Sequence, residues 1–121
     1  MDALTEKIIG CAIQVHRLTG PGLLESVYEQ CLAHEMSKAG IAYEMQKPLP
    51  VLYGKLRLDC GYRVDFLVAS SVILELKSVE VLRGIHQAQI LTYMKLANIS
   101  TGLLINFNVR QLIDGIKRLR L

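Results

Sequence analysis

The chain has 121 residues, enough for one domain with a real hydrophobic core, and 51% of them are hydrophobic against 21% charged. That balance argues against a disordered chain, and no apolar run approaches the ~20 residues of a membrane span. The net charge of +3 permits an anionic partner such as nucleic acid without demanding one.

The opening segment MDALTEKIIG mixes acidic and basic residues and does not read as a secretory signal. Leu4, Ile8, Cys11, Ala12, Val15 and Leu18 recur at helical spacing and predict a first helix. TGPG then punctuates the chain, with Pro21 suited to the first turn of a second helix. Leu24, Val27, Tyr28, Cys31, Leu32 and Met36 form that helix's apolar stripe, and Gly40 ends it. From Ile41 to about Val68 the pattern alternates. Pro48 and Pro50 suggest an edge strand, and Gly54-Lys55 a hairpin turn. YRVDFLVASSVILELK reads as two strands around a short turn, Arg83 to Leu96 as a third helix, and TGLLINF as a buried strand. DGIKRLRL alternates like a final edge strand, with a short helix nearly as good a fit. The order, ααβββαβ(β), predicts an α/β or α+β fold with a mixed sheet, all in one domain spanning 1–121. Cys11, Cys31 and Cys60 contain no C-x-x-C pair, so a disulfide framework or zinc site is not expected and a cytoplasmic location fits.

Charge enters this pattern at one place. Glu75 and Lys77 share a side of the otherwise apolar VILELK segment, and Asp65 lies in the strand before it. An isolated E-x-K is usually a salt bridge on a solvated sheet face. Asp65 in a neighbouring strand brings the alternative level with it: paired carboxylates able to hold Mg²⁺, with a lysine beside them to offset phosphate charge or orient water. The apolar pattern also predicts the register. A two-residue turn at Ser70-Ser71 would set Asp65 opposite Leu76, on the wrong face from Glu75. A three-residue turn, Ala69-Ser70-Ser71, sets Asp65 opposite Glu75 and gathers Val64, Phe66, Val68, Val72, Leu74 and Leu76 on one face. Arg63, Asp65, Glu75 and Lys77 then occupy the other. Glu25, at the start of the second helix, is expected on its core-facing side, pointing into a shared site, while Glu29, farther in and flanked by polar positions, is the poorer answer to the helix dipole. His86, Gln89 and Tyr93 fall on one face of the third helix, where Gln89 can hold a phosphate or water and Tyr93 can stack on a base. Alone, that stripe is better explained as a polar edge of the core, and His16 as a residue answering its helix dipole.

GLLESVY, from Gly22 to Tyr28, resembles the G-x-x-E-x-x-Y signature of the GxxExxY proteins, a branch of the PD-(D/E)XK nuclease superfamily. The resemblance runs over nearly the whole chain, through VHRLTGPGLLESVYEQCLAHEM, YRVDFLV, VILELKSVE, HQAQILTYMK and TGLLINF. It implies a restriction-endonuclease-like core with a mixed central sheet flanked by helices. It further implies Asp65, Glu75 and the Leu76 carbonyl as metal ligands, Glu25 as a helix-borne acid, and Lys77 as the residue that positions the attacking water. Gln89 and Tyr93 match a Q-x-x-x-Y pattern found in nucleases of the superfamily. Val64 stands where the superfamily often has proline.

Together these readings predict a Mg²⁺-dependent nuclease, with Mn²⁺ as an alternative ion, that hydrolyses DNA phosphodiester bonds. Catalysis falls to Asp65, Glu75, Lys77, Glu25 and Gln89, metal binding to Asp65, Glu75, Leu76 and Glu25, and nucleic-acid contact to Tyr93, His86 and Arg63. With no room in 121 residues for a separate recognition domain, direction by substrate structure or by a protein partner is expected over sequence specificity. A homodimer is one variant, and no membrane is involved. The rival is a non-catalytic nucleic-acid- or protein-binding module with the same fold, which the mild charge and few aromatics would suit.

Overall fold

The computed structural model describes residues 2–121 and opens with the helix that the Leu4-to-Leu18 spacing predicts. In α1 (Ala3–Thr19), Asp2 Oδ1 accepts from Thr5 N at 2.7 Å and satisfies one of the amides a first turn leaves open. Ile8, Ala12 and Val15 are buried, whereas Leu18, at the far end of the stripe, is exposed. His16 is buried, and its Nε2 donates to the Val109 carbonyl at 2.8 Å. It therefore ties the helix end to the segment that leads into the last strand, a tertiary role beyond its answer to the dipole.

The second helix starts later than its sequence implies. α2 is Glu25–Lys38, so Pro21 lies outside it. Gly20 and Gly22 hold φ of 69° and 99°, which a right-handed helix cannot contain, and the bend they make runs on to an extended Leu24. Leu24 and Val27 are consequently exposed, and Tyr28, Leu32 and Met36 carry the buried stripe.

The strands are β1 (Tyr43–Pro48), β2 (Val51–Tyr53), β3 (Leu56–Leu58), β4 (Arg63–Val68) and β5 (Val72–Lys77), then, after α3 (Gly84–Ala97), β6 (Thr101–Asn106) and β7 (Ile116–Arg120). β2 and β3 form a separate hairpin around Gly54-Lys55, two strands more than the predicted order allowed for. The other five make one mixed sheet in the order β1-β4-β5-β6-β7, with Pro48 on the edge strand and β7 closing the opposite edge. Only β5 and β6 are parallel, and α3 is their crossover. Gly102 allows α3 to lie close on β6, since a Cβ there would sit 2.5 Å from Met94 Sδ. A 3₁₀ turn (Leu112–Gly115) precedes β7, so the tail holds a short helical turn as well as the strand.

This is a mixed α+β, restriction-endonuclease-like fold with helices on both sides of the sheet. Under α1 and α2 lies one apolar core containing Phe66, Val68, Val72, Leu74 and Leu76. Ile73 and Leu104 face the other side, with Ile90 and Met94 of α3. Val64 packs into this second core beside Leu49, not with Phe66 and Val68 as the alternation implied. No described helix is long and apolar enough to cross a membrane.

Candidate active site at the open end of a hairpin

The β4–β5 turn has three residues, and Ser71 N closes it onto the Val68 carbonyl at 2.9 Å. Ala69 and Ser70 take left-handed φ values of 49° and 54° to make it. The pairs that follow are Val68 with Val72, Leu67 with Ile73 and Phe66 with Leu74. This is the register the apolar pattern predicted, and it sets Asp65 across from Glu75. Here the regular ladder ends and carboxylates replace carbonyls. Asp65 N donates to Glu75 Oε1 at 3.1 Å, and Leu76 N donates to Asp65 Oδ2 at 2.8 Å. Each acid is thus held by the backbone of the opposite strand.

Glu75 is 5% exposed. Burial, with the Asp65 carboxylate beside it, pushes its carboxyl up to about 9 from the ordinary 4.5. Lys77 makes no ion pair with either acid among the described residues; its Nζ donates to Gln89 Oε1 at 3.3 Å. The salt-bridge explanation of E-x-K is therefore not the arrangement present.

The helix-borne acid expected inside the site lies at its rim, and a second acid of the same helix reaches the site instead. Glu25 is exposed, not core-facing, because α2 begins at this residue and its first turn stands clear of the core. Its Oε2 accepts weakly from Ser78 N, at 3.4 Å, at the rim of the site. Glu29, one turn further on, is half-buried and reaches the site. Its Oε1 accepts from Gln46 Nε2 at 2.8 Å, and the same amide reaches Asp65 Oδ1 at 3.3 Å. Burial raises the Glu29 pKa; the Gln46 bond opposes this, and the Asp65 and Glu25 carboxylates add to the rise. The signal for Glu29 was its i,i+4 spacing from Glu25. Gln46 carried no signal: it is a strand residue with φ of 51°, a conformation nothing in its type predicts.

The G-x-x-E-x-x-Y segment acts as a clamp on this corner. Tyr28 is fully buried and stacked on Phe107, ring centroids 4.4 Å apart. Its hydroxyl donates to the Gly20 carbonyl at 2.6 Å and accepts from Leu23 N at 3.1 Å. Ser78 Oγ donates to the Leu23 carbonyl at 2.7 Å, which joins the glycine loop to the end of β5. Asn106 grips the next residue through both of its amide atoms, accepting from Val79 N at 3.1 Å and donating to Val79 O at 2.8 Å.

α3 roofs the site. His86, Gln89 and Tyr93 all line one cavity of about 580 Å³ together with Lys77 and Tyr62. Tyr93 is buried, and its phenol is pushed up by that burial and by the Glu75 carboxylate. His86 Nδ1 accepts from Arg83 N at 2.9 Å, so one ring nitrogen is spent at the helix start. Arg63 is exposed and makes no ion pair or side-chain hydrogen bond among the described residues.

Among the described residues, no three His, Cys, Asp or Glu side chains converge on one ion position. The donors at hand are two facing carboxylates and strand carbonyls, all hard oxygens, with a buried acid that only a nearby cation would hold ionised. That set suits an ion that keeps much of its water, as Mg²⁺ does, and not a closed protein cage. A family model described as the PD-(D/E)XK nuclease superfamily matches residues 2–119. No curated protein and no solved structure matches the chain.

Proposed function

The chain belongs to the PD-(D/E)XK nuclease superfamily, and we propose that it is a metal-dependent nuclease of DNA, in the GxxExxY branch that its Gly22–Tyr28 segment resembles. One observation carries this reading. Asp65 and Glu75 oppose each other where the backbone ladder ends, with Glu75 buried and in no ion pair among the described residues. A structural sheet has no use for a buried acid pushed up to about 9.

PD-(D/E)XK nucleases generally use divalent metal ions. In this chain Asp65, Glu75 and the Leu76 carbonyl would hold Mg²⁺ or Mn²⁺, which supplies Lewis-acid polarisation of the scissile phosphate and a more acidic water. Lys77, steadied by Gln89, orients the attacking water and balances charge developing on the phosphoryl oxygens. Asp65 and Glu75 are preorganised by their backbone bonds, so little rearrangement is needed as substrate arrives. Gln46 and Glu29 fix the outer side of Asp65, and Glu25 stands at the rim.

The test is incubation with plasmid, linear and branched DNA, with and without Mg²⁺ or Mn²⁺, beside Lys77→Ala. Metal-dependent cleavage that Lys77→Ala removes is the expected outcome. The second reading, a binding module that keeps the fold, is favoured by the two-acid rather than three-acid convergence. Binding of DNA with no cleavage under any metal would select it.

A further inference from the structure

The cavity beside Lys77 is larger and less polar than a phosphate needs. Its volume, about 580 Å³, lies within the ~300–1,000 Å³ range of organic ligand sites. Tyr62 and Val51 form one side, and Ile85, Gln89 and Tyr93 of α3 the other. The Tyr62 and Tyr93 rings stand 6.3 Å apart at 53°, so they meet at an angle and leave a face of Tyr62 open. Tyr62 is 47% exposed, yet its position is set, because Leu49 N donates to its carbonyl at 2.8 Å. Polar groups sit among these apolar walls: the Gln89 amide, the Thr92 hydroxyl and the His86 ring, whose Nε2 is not engaged by the helix start.

We infer that this cavity receives one unpaired nucleobase of a DNA strand whose phosphate lies at Lys77, stacked on Tyr62 and read at its edge by Gln89 and His86. The inference deepens the nuclease reading and rests on it for the direction of the strand. A flat, apolar ring with polar edges matches the lining, and Lys77 and Gln89 belong to cavity and candidate active site alike. Continuity of this kind suits a nucleotide, which joins a base to a phosphate, better than an apolar peptide side chain, which would leave the polar groups unpaired. The consequence is a substrate class. A base inside a duplex must be unstacked and unpaired to enter, at a cost of a few kcal/mol, and a base at a single-stranded end, flap or junction is spared that cost. The protein should therefore prefer DNA carrying unpaired bases to continuous duplex.

The experiment measures binding, not cutting, so its outcome is separable from that of the nuclease assay. Full-length protein in EDTA is titrated into a fluorescein-labelled oligonucleotide with a central 2-aminopurine, presented single-stranded, in duplex, and with an abasic site at that position. The expected results are tighter binding of the single strand than of the duplex, and a change in 2-aminopurine emission on stacking. Tyr62→Ala should weaken single-strand binding roughly 5- to 100-fold and abolish the emission change, while Tyr62→Phe retains both. The abasic strand, read with the parent protein, should bind more weakly by a similar factor whatever the variant's stability. Equal or tighter binding of duplex, an abasic strand that binds as well as its parent, or emission unaffected by Tyr62→Ala in a folded variant would each overturn the inference. Failure of the nuclease reading appears elsewhere, as absence of metal-dependent cleavage of any DNA.

Discussion

The two ends of the β4–β5 hairpin are built from the same two strands and do opposite things. At the turn end, Phe66, Leu67 and Val68 pair with Leu74, Ile73 and Val72 through the backbone, and every side chain is apolar. One residue further, the strands stop pairing through carbonyls, and Asp65 and Glu75 take the amides instead. The turn end contributes burial. The open end gives up ladder hydrogen bonds and buries an acid, a cost of several kcal/mol when no cation is present. That cost lies where two helices, α2 with Glu29 and α3 with Gln89, bring further polar groups. Regular pairing at one end makes irregular pairing at the other affordable.

The strongest way to break this contrast is to change the register itself. Deleting Leu67 takes one residue out of β4, which would move Asp65 opposite Leu74 and that strand's preceding residues to the wrong face. We expect loss of a cooperative thermal transition, or destabilisation beyond about 4 kcal/mol, by circular dichroism. A folded deletion variant that still cleaves DNA would show that the register does not assemble the site.

Next in size is an effect confined to the open end. Lys77→Ala should lower metal-dependent cleavage by at least about 100-fold, measured by plasmid nicking, because a positioned cation at the phosphate is lost. Its melting curve should barely move, within about 0.5 kcal/mol, since Lys77 makes no ion pair among the described residues. Equal losses of activity and stability would make Lys77 a structural residue.

How much of this was legible beforehand follows the same division. The turn end could be read because alternation has a period of two, and only one register satisfies it. Asp65, Glu75 and Lys77 could be placed together for that reason, and Gln89 and Tyr93 from helical spacing and the family resemblance. Val64 escaped because the sheet departs from simple alternation where its ladder ends, next to Asp65. Glu25 was placed too deep, and Glu29 was not placed in the site, because helical spacing says which residues share a face and not where the helix begins. The glycine φ values that delay the start of α2 until Glu25 are tertiary facts, held by the Tyr28 hydroxyl. The cavity was out of reach too, since Tyr62 comes from an irregular segment that joins the site only in three dimensions.

Glu75 makes the open end sensitive to pH in a way the turn end is not. Between the ordinary 4.5 and about 9, the folded protein keeps a proton on Glu75 that the unfolded chain has released. Unfolding thus releases a proton, so metal-free stability is full below about 4.5 and declines as pH rises towards 9, by at most about 1.4 kcal/mol per pH unit. Glu75→Gln keeps an oxygen acceptor for Asp65 N and should flatten that slope, leaving the variant on the order of 1–3 kcal/mol more stable than the parent at pH 8 in EDTA. Denaturant titrations at pH 5, 6.5 and 8 read the difference. Identical slopes would place Glu75 in a more hydrated setting than its burial indicates. Asp65 behaves differently under the same assay. Asp65→Ala leaves Leu76 N without its acceptor and should cost about 1–3 kcal/mol, whereas Asp65→Asn preserves the bond and should cost little.

The smallest effects compare left-handed residues at the two ends. Ser70, with φ of 54°, sits in the turn, and Gln46, with φ of 51°, sits beside Asp65 on the edge strand. Each conformation costs a non-glycine residue roughly 1 kcal/mol, so Ser70→Gly and Gln46→Gly should both be mildly stabilising or neutral, offset by the extra freedom glycine has when unfolded. Their functional effects should part. Ser70 is exposed and remote from the acids, and its substitution should leave cleavage unchanged. Gln46→Gly removes the amide that joins Glu29 to Asp65 and returns two carboxylates to direct repulsion. Mg²⁺ titrated against cleavage rate should then show a several-fold higher half-saturating concentration for Gln46→Gly alone. If the two variants match the parent in this titration, the left-handed turn at Gln46 is an accident of the edge strand. If only Gln46→Gly shifts it, the Gln46 amide is what holds the outer acid in place.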